Sequence, residues 1–215
     1  MSALGRGIAA LLLIVPLLAC AEPAPEQYKE GTNYELISPP QPTENTATVE
    51  VTEVFWYACP HCSHLEPALL AWLKHKPANV TFIRMPAVLN PSWELLARAY
   101  YVAEDLNVLD KTHGAIFSAI HTQHVNLNTD DDVIAFFKTQ GLAEADVRNA
   151  MSSFSVETKL RRAKQMGERY GITGVPAIIV NGKYRVTGSL AGSNENIIKV
   201  VDFLVSKESA PAPAR

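Results

Sequence analysis

"FWYACPHCSHLEP", residues 55–67, places two cysteines, Cys59 and Cys62, two residues apart with Pro60 and His61 between them. The stretch before it, Val49 to Tyr57 (VEVTEVFWY), is β-branched and aromatic and reads as a strand. The stretch after it carries Leu65, Leu69, Leu70, Trp72 and Leu73 at helical spacing. Pro60 fits the first turn of that helix, where a missing N–H costs nothing. A CxxC pair admits three readings: a metal clamp, an inert structural disulfide, or a reactive dithiol.

Beyond the helix, Asn79 to Met85 (NVTFIRM) is a second strand, so the motif sits inside a βαβ unit whose crossover is right-handed. From Ser92 the pattern turns helical. Trp93, Leu96, Ala97 and Tyr100 form one apolar stripe, and Ile116, Phe117 and Ile120 another. Thr129 opens a further helix with three acidic residues in its first turn, bearing Val133, Phe136 and Phe137 and stopping at Gly141. A short helix over Glu144 to Met151 and a longer one over about Val156 to Tyr170 follow. Strands then return around Asn181-Gly182, a strong two-residue hairpin turn, and Ser193 caps a last helix with Ile197, Ile198, Val201 and Leu204. The expected class is α/β: a βαβ…ββα mixed sheet covered by helices on both faces, with an all-helical insertion. The expected divisions are a signal peptide over 1–21, a linker and edge strand over 22–48 with a short strand at Tyr34 to Ile37, a first half over 49–90, the helical insertion over 91–155, a second half over 156–205, and a disordered tail over 206–215.

The chain has 215 residues, a formal net charge of −3 and 47% hydrophobic residues. That is enough to bury a core without staples, and it leaves no electrostatic footprint for nucleic acid. Arg6 followed by an apolar run from Ile8 to Ala19 has the pattern of a secretory segment, too short for a membrane span. Ala19-Cys20-Ala21 suits cleavage before Glu22. "LLAC" also resembles a lipobox, in which Cys20 would carry a lipid anchor; simple cleavage is the favoured reading. Either route removes Cys20 from the three cysteines as a free thiol. Export would then place Cys59 and Cys62 in an oxidising compartment, the periplasm.

A strand that delivers Cys59 to a helix N-terminus sets its sulfur against unpaired N–H groups and the positive end of the dipole. His61 adds a donor or a positive charge. Both lower the thiol pKa, and the thiolate is the species that exchanges disulfides. Stabilising it stabilises the reduced form and makes the disulfide an oxidant. Cys62, one turn in, would close the ring. An inert disulfide over so short a loop would constrain the unfolded chain little. A zinc clamp with His64 lacks a second ligand pair.

Two further features carry chemistry. Val175-Pro176 opens the hairpin strand. A cis bond there would present the Val175 backbone to an extended substrate peptide, although composition alone favours a trans bond. Glu53 and Arg84 are charges inside apolar strands. They are either a buried pair beneath Cys59, with Glu53 moving protons for Cys62, or side chains reaching solvent at the sheet edge. His64, His75, His113, His121 and His124 read as surface or packing histidines.

With CPHC opening the first helix, a helical insertion and Val-Pro before the hairpin, residues Tyr34 to Val205 resemble the DsbA family of thiol–disulfide oxidases, which carry the thioredoxin fold. The resemblance implies that Cys59 is the nucleophile and Cys62 its redox partner, and that Val175-Pro176 is a cis-proline loop. It implies that Glu53 is the buried acid, with Arg84 where a lysine is more usual. It also implies a low pKa for the nucleophile, a strongly oxidising disulfide and no cofactor. The partners it implies are unfolded exported proteins with reduced cysteines and a DsbB-like, quinone-linked membrane oxidase. Residues 22–48 are too few for an isomerase dimerisation domain, which favours a monomeric oxidase over a reductase or isomerase. A periplasmic copper or zinc chaperone using Cys59, Cys62 and His64 is the reading from another class.

Overall fold

The sheet is built outward from Val49–Phe55 (β2), whose seven side chains are all buried. In this computed structural model, which describes residues 27–210, β2 pairs in parallel with Val80–Pro86 (β3) and antiparallel with Ala177–Val180 (β4). Tyr184–Thr187 (β5) pairs antiparallel with β4, and the short edge strand Glu35–Leu36 (β1) pairs antiparallel with β5. Among the described residues the order is β1-β5-β4-β2-β3. A strand flanked on both sides and covered on both faces buries every side chain, and β2 does so even though Glu50, Thr52 and Glu53 are polar.

Pro60–Leu73 (α1) connects β2 to β3. It buries Cys62, Leu65, Glu66, Leu69 and Trp72, the i, i+3, i+4, i+7 stripe of a helix lying on a sheet. Asn194–Ser209 (α8) lies beside it, and Leu65, Leu69, Val51, Ile178, Val200 and Leu204 share one core. Between β3 and the hairpin run Glu94–Asp105 (α2), Leu109–His121 (α3), Asp130–Thr139 (α4), Glu144–Met151 (α5) and Phe154–Arg169 (α6). They enclose a second core with Phe55, Tyr57, Tyr100, Ile116, Phe117 and Phe137. Gly188–Ala191 (α7) is a single turn before α8.

Local chemistry sets the ends. Thr129 caps α4 in a full capping box with Asp132, and Ser193 caps α8 by accepting from Asn196 N. Asn181 and Gly182, both at positive φ, make the β4–β5 turn.

One expectation needs correction. Residues 206–209 are not a disordered tail but the last turn of α8. Glu208 holds that turn to the hairpin, accepting from Asn181 Nδ2, Lys183 Nζ and Tyr184 Oη, and Ser209 Oγ accepts from Asn79 Nδ2. The 1–21 segment with Cys20 lies outside the described residues.

Candidate active site

Cys59 is the N-cap of α1, with extended backbone (φ −84°, ψ 115°) and Pro60 at the first helical position. Its carbonyl accepts from Ser63 N at 3.1 Å, the first bond of the helix. The side chain is 8% exposed, whereas Cys62 is wholly buried, so only one sulfur faces incoming thiols. Both cysteines are free thiols in this structure.

The Cys59 thiol is held down to about 6. A hydrogen bond with the Cys62 side chain is the largest cause; the backbone N–H groups of Cys62 and His61 and the charge of His61 add to it, and burial opposes them. Cys62 is pushed far up by burial first, then by the hydrogen bond to Cys59, with the Glu53 charge adding. One pair of thiols is thereby split into a ready thiolate and a reluctant one.

The Val175–Pro176 bond is cis, and the Cys59 thiol donates to the Val175 carbonyl at 3.5 Å. The Cys59 sulfur thus touches the loop that composition alone would have left trans. An open groove of about 630 Å³ runs beside it, lined by His61, Gly174, Val175, Pro176, Glu35 and Arg185. Ser38–Pro39 is also cis, a feature the sequence reading missed.

Beneath the cysteines, Glu53 and Arg84 are register partners. Arg84 Nε donates to Glu53 Oε2 at 3.0 Å, and Arg84 Nη2 donates to Glu66 Oε1 at 2.7 Å. The sheet-edge alternative does not hold for Glu53, which has no exposed surface, while Arg84, on the edge strand β3, keeps a 16% exposed side chain. Burial raises its carboxyl to about 8; the Arg84 charge and hydrogen bond pull it down, and the Glu66 charge pushes it up.

The sequence reading missed Glu66 and His113. Glu66 lies four residues after Cys62, on the buried stripe of α1, and that spacing was the available signal. His113, on α3, sits 3.4 Å from Glu66 Oε1 through Nε2 and 2.9 Å from the Tyr57 hydroxyl through Nδ1. Nothing local in the sequence marks it, because α3 and α1 meet only through the fold. His121 Nε2 lies 2.8 Å from the Tyr57 carbonyl, and Trp56 stacks on Trp93 at 4.1 Å beside the motif. Glu53, Glu66 and His113 are, among the described residues, the group whose possible ligand atoms lie within 4.8 Å of one another. Cys59, Cys62 and His64 form no such group, so the donor set of a metal chaperone is not assembled.

The chain is 34% identical over 205 residues to the thiol:disulfide interchange protein DsbA of Pseudomonas aeruginosa, covering 95% of this chain and 97% of that protein. The chain belongs to the DsbA family. The family's DSBA-like thioredoxin domain matches residues 83–193. DsbA of Pseudomonas syringae pv. tomato is also 34% identical, over 96% of this chain and 97% of its own length. A crystal structure of the Pseudomonas aeruginosa DsbA superposes with a TM-score of 0.80 at 35% identity, over 84% of this chain and 94% of that one. A DsbA structure from Xylella fastidiosa gives 0.79 at 31% identity, over 84% and 97%. The sheet and its inserted helices are thus the thioredoxin-like DsbA fold, and the protein is a thiol–disulfide oxidoreductase. Among the described residues, no helix is long and apolar enough to cross a membrane.

Proposed function

We propose that the protein works in the oxidising direction, donating the Cys59–Cys62 disulfide to newly exported, unfolded proteins in the periplasm. The observation that carries the reading is the Cys59 thiol held near 6 at the N-terminus of α1. A thiolate stabilised in the reduced protein stabilises that state against the disulfide and makes the disulfide a strong oxidant.

A substrate thiolate attacks the Cys59 sulfur. The substrate–Cys59 bond forms as the Cys59–Cys62 bond breaks, and Cys62 leaves with the electron pair and takes up a proton. Glu53, protonated below about pH 8, is the buried donor for that step, and it takes the proton back when Cys62 must attack again. A second substrate thiolate then attacks the substrate sulfur. The substrate leaves with its disulfide, and Cys59 leaves as the stabilised thiolate. Two electrons have passed to the enzyme, and a DsbB-like membrane oxidase linked to quinone removes them. The groove beside Val175 receives the extended substrate, whose backbone meets the Val175 carbonyl. His61 and Pro60 tune Cys59, one through charge and one by starting the helix. The protein acts as a monomer, delivered by cleavage of residues 1–21 or anchored by a lipid on Cys20.

Equilibration of the purified protein with glutathione redox buffers tests this. The expected result is a protein that stays reduced until the buffer is strongly oxidising. A reducing, thioredoxin-like equilibrium would overturn the oxidase reading.

A further inference from the structure

The acid beneath the cysteines is not alone. Its guanidinium partner, Arg84, is shared by two carboxyls, Glu53 and Glu66. One positive charge can balance one carboxylate, so in a site this buried one of the two carboxyls holds a proton. The chemistry depends on which, because Glu53 is the acid whose charge Cys62 feels.

Of the two carboxyls, Glu66 is the one within ion-pair distance of His113 Nε2, at 3.4 Å. The orientation of His113 is fixed. Phe55, Tyr57, Tyr100 and Phe117 surround the ring, with centroids 5.2 to 6.2 Å away. Its tautomer follows from the Tyr57 hydroxyl, which is fully buried, keeps its proton because burial raises it well above the usual phenol range, and has Nδ1 as its partner. The hydroxyl donates to Nδ1, so the ring proton is on Nε2, turned toward Glu66. Burial first, with the Arg84 charge adding, lowers the pKa of the imidazole against the pull of Glu66, so the ring faces Glu66 as a neutral donor. Three buried polar atoms here lack a hydrogen-bond partner: Glu53 Oε1, Glu66 Oε2 and His113 Nε2, which lies close to Glu66 Oε1 but is poorly aligned with it.

We propose that His113 is a positioning residue for the proton relay: held by Tyr57 with its Nε2–H toward Glu66, it keeps Glu66 the ionised partner of Arg84 and leaves the shared proton on Glu53. This rests on the reading of Glu53 as the buried proton donor. The charged and titratable groups that face the cluster are Glu53 and Tyr57 from β2 and its extension, Arg84 from β3, Cys62 and Glu66 from α1, Tyr100 from α2, and His113 itself with His121 from α3. Without the His113 donor, Arg84 is freer to turn from Glu66 to Glu53, and Glu53 ionises at lower pH.

The test is the infrared carbonyl band of a protonated carboxylic acid, followed against pH and assigned by difference from a Glu53→Gln counterpart in each background. In the native protein the Glu53-dependent band should persist to about pH 8. In His113→Leu it should titrate away about one pH unit lower, the size of one weak charge-assisted hydrogen bond. His113→Gln, which returns an N–H near the Nε2 position, should restore it. Tyr57→Phe, which removes only the hydroxyl and frees the tautomer, should move it in the same direction and serves if His113→Leu does not fold. A Glu53-dependent band unmoved in both His113→Leu and Tyr57→Phe overturns the role of His113 while leaving Glu53 as the acid. A native band that Glu53→Gln leaves unchanged overturns the relay reading, and this inference with it.

Discussion

Glu53 and Arg84 stand side by side on adjacent parallel strands, and the Arg84 Nε–H reaches Glu53 Oε2 at 3.0 Å, yet Glu53 still keeps its proton to about pH 8. Burial outweighs the ion pair, and the neighbouring Glu66 charge adds to it. This has a consequence for stability. The unfolded carboxyl titrates near 4.5, so between pH 4.5 and 8 the folded chain binds a proton that the unfolded chain has lost. Its contribution is full below 4.5 and is lost as pH rises toward 8. Glu53→Gln keeps the shape without the titration. It should flatten that part of the stability curve and raise stability near pH 7 by roughly 2–4 kcal/mol. Urea unfolding at several pH values checks this; parallel curves for native and variant chains would contradict it.

Cys59 has the opposite sign. Its folded value, about 6, lies below the unfolded 9. The thiolate therefore stabilises the reduced protein above pH 9, and that contribution is lost as pH falls toward 6. Reduced protein should outlast oxidised protein in denaturant at pH 8 by more than at pH 5. Above pH 6 only Cys62 takes up a proton on reduction. The potential should therefore fall by about 30 mV per pH unit above 6 and by about twice that below it. His61→Ser removes one of the causes and should raise the thiolate midpoint, followed by ultraviolet absorbance, by up to about one unit.

Burial orders the two sulfurs. Cys62 has no exposed surface, so the substrate must meet Cys59 first. Cys62→Ser should accumulate a mixed disulfide through Cys59 with a reduced, unfolded substrate, visible on non-reducing gels. Cys59→Ser should form none and lose oxidase activity. A trapped adduct in the Cys59→Ser protein would reverse the assignment.

What the sequence disclosed and what it hid divide along sequence separation. The strand–CPHC–helix unit, the Thr129 cap, the Asn181-Gly182 turn and the Ser193 cap are local patterns, and each is where it was expected. Glu53 and Arg84 stood out because a charge inside an apolar strand is conspicuous. Glu66 did not, since an acidic residue on a helix passes for a solvated one until the helix has a buried face. His113 is 47 residues beyond Glu66, and only the docking of α3 onto the motif brings them together. The last turn of α8 was hidden for the same reason: Glu208 is polar in sequence and becomes a clamp only beside Asn181, Lys183 and Tyr184.

The hairpin that follows the Val175–Pro176 loop depends on Gly182. Its φ of +63° lies in the left-handed region, and a Cβ there would come within 2.1 Å of the Gln41 carbonyl oxygen. That carbonyl belongs to backbone already tied to the turn, because Gln41 N donates to the Gly182 carbonyl at 2.9 Å and Ile37 N to the Lys183 carbonyl at 2.7 Å. Neither strand can yield without breaking these bonds, so Gly182→Ala adds backbone strain and a backbone clash together. The expected loss is about 2–4 kcal/mol of stability. Asn181→Gly, which keeps the positive φ at the preceding position, should instead cost little through the turn and act mainly by removing the Asn181–Glu208 bond. The thiolate midpoint of Cys59 reads the other side of this loop. It should stay near 6 in folded Gly182→Ala protein, because the groups that lower it, Cys62 and His61, lie within α1 and none lies in the hairpin. A midpoint that moved with the stability loss would show that the hairpin, through Val175, also sets the acidity of Cys59.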